Sequence, residues 1–285
     1  MSEYQPVASS TSVALGRAIE VAVHVRRSSA MHGRILTTGR QVTLRGVTGN
    51  VLPGEIATVL PTRKWMYAGR LCCSGRVLGF RLDAPALGLE PLALQPQGDW
   101  DPAEEYIVDD HDRLSAWDLR ILARGVRQDF EMQQMLPGDD PSDPDLDPII
   151  LSNELREAGC RREAREVLMD LLEEDLRCLD AHAHLGNLEF ERRPPLALRH
   201  YAVGVAIGAL TVGERFDDVL SWGWTDNRPF LRCLNGYGLC LWRAGLVERA
   251  SAVFQRMLWL NPDDNQGARF NLARIAAGRI WEQCE

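Results

Sequence analysis

The 285-residue chain is 45% hydrophobic and 25% charged, carries 24 Gly and 15 Pro, and has a formal net charge of −8. That composition excludes a disordered tail, a collagen-like fibre and a small disulfide scaffold, and the length allows one large domain or two modest ones. No apolar run approaches the roughly 18–20 residues that span a bilayer, and Arg17 and Glu20 interrupt the one stretch near the start that resembles a secretory signal. Seven cysteines, an odd count with no CxxC pair, fit reduced thiols in a cytoplasm. Of the 32 basic residues all but Lys64 are arginine, a bias that reflects GC-rich coding and also suits bidentate contacts with carboxylate or phosphate. Charge is unevenly spread, with a net of +6 over 1–95, −11 over 96–147 and −3 over 148–285. The expected organisation is a small β-rich domain over 1–100, an acidic connector with one helix over 101–147, and a helical domain over 148–285.

Residues 12–27 have the apolar spacing of an amphipathic helix through Val13, Ala14, Ile19 and Val23, although the alternation VAVHV (21–25) argues equally for a strand. From 34 to 95 the pattern is β-like. VTLRGV (42–47), EIATVL (55–60), WMYAGRLC (65–72) and RVLGFRL (76–82) are separated by turn formers, with Pro53-Gly54 the clearest. Four or five short strands at this spacing predict a small antiparallel β-barrel or curled sheet. Within 49–71 the PGE turn (53–55), the alternating strand after it and the basic pair Arg63-Lys64 resemble the small OB-like barrels appended to RNA-modifying enzymes. That resemblance implies contact with RNA. Arg63, Lys64 and Arg70 interleave with Trp65 and Tyr67, and aromatic rings beside positive charge hold single strands. The competing reading is that Arg63, Trp65 and Tyr67 share one strand face and the large rings fill the barrel core.

In the connector, DDHD (109–112) and PGDDPSDPDLDP (137–148) combine charge with proline, and 128–147 reads as a linker. Leu114, Trp117, Leu119, Ile121 and Leu122 predict one helix near 113–127. Beyond it, self-similarity with a period near 34 dominates. In NGYGLCLWRAGLVERASAVFQRMLWLNP (235–262), Gly238 and Ala250 are the small positions of two packed helices, Gly245 the turn, Phe254 the wedge and Pro262 the stop. Leu185, Gly186, Ala197 and Tyr201 repeat this, as do Gly159, Ala164 and Leu168, and 266–279 starts one more helix. These residues resemble a tetratricopeptide repeat, giving three repeats and a capping helix over 148–285, near the minimum for a stable stack. Arg192-Arg193-Pro194-Pro195 replaces the usual glycine turn, and about twenty residues (210–229) are inserted before the third repeat.

The resemblance implies a concave groove that grips another protein or an extended peptide. Aligning the turns places Asn153 and Asn187 at equivalent groove positions, followed by Arg232, Asn235 and Arg269. Asn offers a peptide backbone donor and acceptor together, and Arg holds a carboxylate. In the insertion, Trp222, Trp224 and Phe230 either plug a flank of the stack or present a partner surface. No metal or cofactor is expected. Asp143, Asp145, Asp147 and Glu154 have the spacing of a calcium loop, but Pro148 stands where glycine is required. Cys178, His182 and His184 lack a second ligand pair for zinc, His111 lacks a nucleophile, and Cys72 and Cys73 face opposite sides of a strand. No catalytic motif is present. The expected fold class is therefore α+β in two units. The expected function is a cytoplasmic, bacterial protein-binding scaffold with no membrane role. The alternative is an RNA- or ribosome-associated factor that contacts nucleic acid through its barrel.

Overall fold

The computed structural model describes residues 13–27, 30–47, 50–106, 114–138 and 147–283. The chain divides into two compact units, residues 1–87 and 88–285. The first is a five-stranded barrel and the second is dominated by helices, an α+β architecture in two parts.

In the first unit, β1 (Ile19–Arg27), β2 (Ala30–Ile35), β3 (Gln41–Arg45), β4 (Ile56–Tyr67) and β5 (Arg70–Arg81) close in the order β1-β2-β3-β5-β4, and α1 (Ala84–Leu87) follows. β1 pairs antiparallel with both β2 and β4, whereas β3 runs parallel to β5. Val21 and Val23 meet Met31, Ile35, Val42, Leu44, Val59, Leu71 and Cys73 in the core. The helix expected over 12–27 is therefore a turn and a strand over its described residues. Apolar spacing fits both periods here, and β-branched residues at 19, 21, 23 and 25 suit the pleated one. The PGE turn is stitched into the barrel. Gly54 N donates to Val23 O (2.8 Å), Val23 N to Glu55 O (2.9 Å), and Leu52 N to the buried Glu55 carboxylate (2.8 Å).

The second unit begins with β6 (Leu94–Trp100), then α2 (Pro102–Glu105) and α3 (Ala116–Arg124), and β7 (Arg127–Met132) returns antiparallel to β6. The acidic connector is thus no separator over its described residues. Trp100, Ile121 and Met132 are buried, and residues 128–132 of the supposed linker form most of β7. Acidity marked a solvated face there, and pairing with β6 supplied the order. Residues 139–146 lie outside the described residues.

Seven helices then run α4 (Pro148–Glu157), α5 (Arg161–Glu174), α6 (Leu179–Glu189), α7 (Pro194–Val212), α8 (Arg228–Arg243), α9 (Val247–Leu260) and α10 (Ala268–Ala276). Each packs on the next, and α6 also touches α4 and α8, so alternate helices form one layer. Asp147 caps α4 by accepting from Ile149 N (2.7 Å) and Ile150 N (3.3 Å), with Pro148 at the first turn. α7 has the length and apolar composition of a membrane span, which the sequence reading did not register; half of its apolar window is buried within the stack.

Close approach of these helices depends on absent side chains. A Cβ at Gly186 of α6 would lie 2.4 Å from the Tyr201 ring, and one at Gly236 of α8 would lie 2.3 Å from the same ring. Gly238 lies as tightly on Phe254, where a Cβ would meet the ring at 2.7 Å. We expect Gly186→Ala to destabilise the protein by about 1–3 kcal/mol through overpacking, despite the roughly 1 kcal/mol gained from helix propensity. In a Tyr201→Ala background the same substitution should become neutral or stabilising. Urea denaturation of the four proteins in this cycle measures the coupling.

Candidate functional site

β4 and β5 are each twelve residues long and pair from Ile56↔Arg81 to Tyr67↔Arg70. β1 covers the outer edge of β4 only along Ile56–Val59, so the far half of β4 has β5 as its one partner. Residues 62–70 are exposed throughout. Ala68 and Gly69 turn the hairpin with positive φ of 47° and 75°, a conformation that matches strand twist in two-residue turns. Gly75 permits the bulge below the tip, since a Cβ there would lie 2.2 Å from Leu60 O.

On this half-strand Trp65 is 37%, Met66 54% and Tyr67 64% exposed. The reading of Trp65 and Tyr67 as barrel core is therefore overturned. Periodicity assigned a shared face correctly, but β4 outruns the closed part of the barrel, and Leu71 and Cys73 of β5 fill the core at that level. Five cations belong to the hairpin tip or reach it. Arg63, Lys64 and Arg70 come from the hairpin itself. Arg40 Nη2 reaches Met66 Sδ (3.6 Å), and the Arg45 guanidinium lies 5.6 Å from the Tyr67 ring centre. Lys64 Nζ donates to Val13 O (2.7 Å). The described carboxylates of this unit are committed elsewhere: Glu20 and Asp83 bind Arg81, and Glu55 is buried in its turn. Sequence reasoning missed Arg40 and Arg45, because the parallel β3–β5 pairing that delivers them joins distant segments.

The five expected groove residues fall on the alternate helices α4, α6, α8 and α10, and three of them are engaged by neighbouring side chains. Asn153 is half-buried on α4, and Asn187 on α6 accepts from the Tyr201 hydroxyl (2.7 Å). Arg232 on α8 donates to Asp180 (3.0 Å) and stacks 5.8 Å from the Trp222 ring centre. Asn235 Oδ1 is buried without a hydrogen-bond partner among the described residues. Arg269 on α10 donates to the Tyr106 hydroxyl (3.0 Å) and lies 3.6 Å from Asp264. Arg232 is the one of the five that lines a cavity of about 400 Å³, with Asp180, Asp226, Arg228, Leu136 and Pro229 among its other walls.

The insertion is pinned to β7 and to the end of α9, with Trp224 left 37% exposed. Val219 bridges to Asp129 of β7, while Phe130 N donates to Val219 O (3.0 Å). Trp224 Nε1 donates to Asp129 (2.8 Å) and Trp222 N to Asn261 (3.1 Å). Phe230 is not in the loop at all: it lies in the first turn of α8, buried where Gly208 of α7 gives it room. Fully buried Asn227, unremarked in the sequence, binds Met132 N, Phe130 O and Ser221 O at 2.8–2.9 Å.

Among the described residues, no three His, Cys, Asp or Glu side chains gather for a metal. Asp147 serves as a helix cap; Asp143, Asp145 and His111 lie outside the described residues. His182 Nε2 faces Leu176 O (3.1 Å), and His184 lies 3.8 Å from Asp180. No protein-family model, no curated protein and no solved structure matches this chain.

The buried histidines give the helical unit a pH dependence. Burial lowers His182 from 6.5 to about 4 and pushes His200 well below its ordinary value. The unfolded chain therefore binds more protons than the folded one as pH falls from about 6.5 toward 4. Stability should be complete above about pH 6.5 and decline on acidification by up to about 1.4 kcal/mol per pH unit per histidine. Urea midpoints between about pH 7.5 and 5.5 should fall accordingly, and His182→Gln should make the profile shallower.

Proposed function

We propose that this protein is an adaptor that binds single-stranded RNA through the β4–β5 hairpin of its barrel. The observation that carries this reading is the exposed Trp65-Met66-Tyr67 tip set among Arg40, Arg45, Arg63, Lys64 and Arg70. Every base has a π-face, so exposed rings hold bases without regard to sequence while cations track the phosphates. The order β1-β2-β3-β5-β4, with β3 parallel to β5, supports the likeness to OB-like barrels. In such barrels the loop between the fourth and fifth strands is a binding element. Six described thiols are free, in keeping with a reducing cytoplasm.

A second reading, a tetratricopeptide-like scaffold for a protein partner, draws support from the layered helices and from the Gly238–Phe254 and Gly186–Tyr201 contacts. Its groove residues are mostly spoken for by Asp180, Tyr201 and Tyr106, so the hairpin carries the stronger case.

Fluorescence anisotropy with a labelled single-stranded RNA of about twelve nucleotides, within the site sizes of such barrels, tests the proposal. Binding should weaken steeply between about 50 and 200 mM salt. Trp65→Ala should cost about 1–3 kcal/mol of affinity and leave the melting temperature nearly unchanged. Arg63→Ala and Arg70→Ala should each reduce the salt slope by about 1. Absence of RNA binding at about 50 mM salt, where the phosphate contribution is strongest, would overturn it.

A further inference from the structure

In the helical unit, the N-terminal turn of α5 meets the end of α6 and the turn that follows it. There Arg161, Arg162, Arg165, Arg192 and Arg193 line one cavity of about 430 Å³ together with Glu189. That volume lies within the range of about 300–1,000 Å³ typical of small-molecule pockets. Five guanidinium groups around one cavity repel each other unless negative charge joins them. We propose that the cavity binds a small phosphate-bearing anion with at least two negative charges, such as a pyrophosphate group.

The local carboxylates neutralise the wall only in part. Glu189 is 4% exposed and receives two hydrogen bonds from Arg193, at 2.7 and 2.6 Å, with Arg165 at 4.0 Å. Glu163 and Glu166 pair with Arg162 at 2.8 and 3.8 Å, but both stand on the solvent side and neither lines the cavity. Arg161 spends one nitrogen on the Leu188 carbonyl. Arg192 is exposed and forms no ion pair with the described residues. The lining carries five positive charges and one negative, and with Glu163 and Glu166 paired to Arg162 behind it, positive charge exceeds negative by two among these groups.

A neighbouring group registers the positive field. His200 on α7, buried and with no hydrogen-bond partner for Nε2 among the described residues, is held neutral by burial first and then by Arg165. Planar guanidinium forks match phosphate oxygens bidentately. A single carboxylate has too few acceptors for so many forks, whereas a pyrophosphate group presents several around two centres. The site lies wholly in the helical unit and does not depend on the hairpin reading.

Isothermal titration of the full-length protein with inorganic pyrophosphate, at constant ionic strength, tests this. Saturable one-site binding is expected, weaker for inorganic phosphate and weaker still for succinate. Arg192→Ala and Arg162→Ala should each weaken pyrophosphate at least tenfold. Arg274→Ala, on exposed α10, should leave it unchanged, and circular dichroism should show all variants folded. Heat indistinguishable from a chloride control would overturn the proposal, as would equal affinities for Arg192→Ala and Arg274→Ala. Succinate binding as tightly as pyrophosphate would overturn the phosphate assignment. Displacement of pyrophosphate by a short RNA would overturn the small-anion assignment and give the site to backbone phosphate.

Discussion

Arg127 fastens the two-stranded sheet of the second unit to its helices. Its side chain is 2% exposed and lies between two indoles, with the guanidinium 4.9 Å from the Trp100 ring centre and 4.6 Å from that of Trp259. Nη1 donates to Trp259 O (2.6 Å), while Nε and Nη2 have no hydrogen-bond partner among the described residues. Burial lowers its pKa to about 10, still well above neutrality, so the group remains a cation. A buried cation without a direct ion pair costs several kcal/mol of desolvation. Two indole faces, each worth up to about 2 kcal/mol when desolvated, offset much of that. The attraction of Asp217 and Asp218 adds to it. A two-stranded sheet is marginal by itself; this contact fastens β7 to the end of α9 and lets β6 and β7 persist.

The same corner gathers the insertion before α8. Asp217 accepts from Trp259 Nε1 (2.8 Å) and Arg124 (2.8 Å), and Asp129 accepts from Trp224 and Ser221. Carboxylates that look like solvated charge in the sequence are acceptors for indole and backbone donors here. Acidic composition in residues 96–147 was therefore a poor guide to order. A carboxylate's count of available donors, which is a property of the fold, decides whether it solvates a linker or pins a hairpin.

What was legible in the sequence follows how local each contact is. Gly238 and Phe254 belong to adjacent helices joined by a short turn, so their spacing alone located a packed pair. β-branched alternation likewise exposed most of the barrel. Strand β7, RQDFEM, has little apolar pattern of its own and exists through partners at 94–100 and 219, which no window could connect. WMYAGRLC (65–72), read as one strand, is instead the end of β4, a turn at Ala68-Gly69 and the start of β5, and the exposure of Trp65 and Tyr67 went unseen because the point at which a barrel closes depends on the length of β1. Arg192 and Arg193 stood out as an odd turn, yet Arg161, Arg162 and Arg165 lie some thirty residues earlier and converge on them only through helix packing.

Both arginine clusters sit in a chain of net charge −8, and the contradiction dissolves at the scale of screening. At physiological ionic strength the Debye length is about 8 Å, so an anion at the surface senses the side chains within one or two residue diameters rather than the whole molecule. The barrel tip gathers cations on both faces of its hairpin, and the α5–α6 cavity has five cations against three paired carboxylates. Net acidity keeps the chain soluble and discourages nonspecific adhesion of polyanions elsewhere on its surface. On the two proposals made above, local arginine density then selects where a phosphate binds. The acidic excess lies over residues 96–147, whereas residues 1–95 carry a net of +6, so the two clusters sit in different electrostatic surroundings.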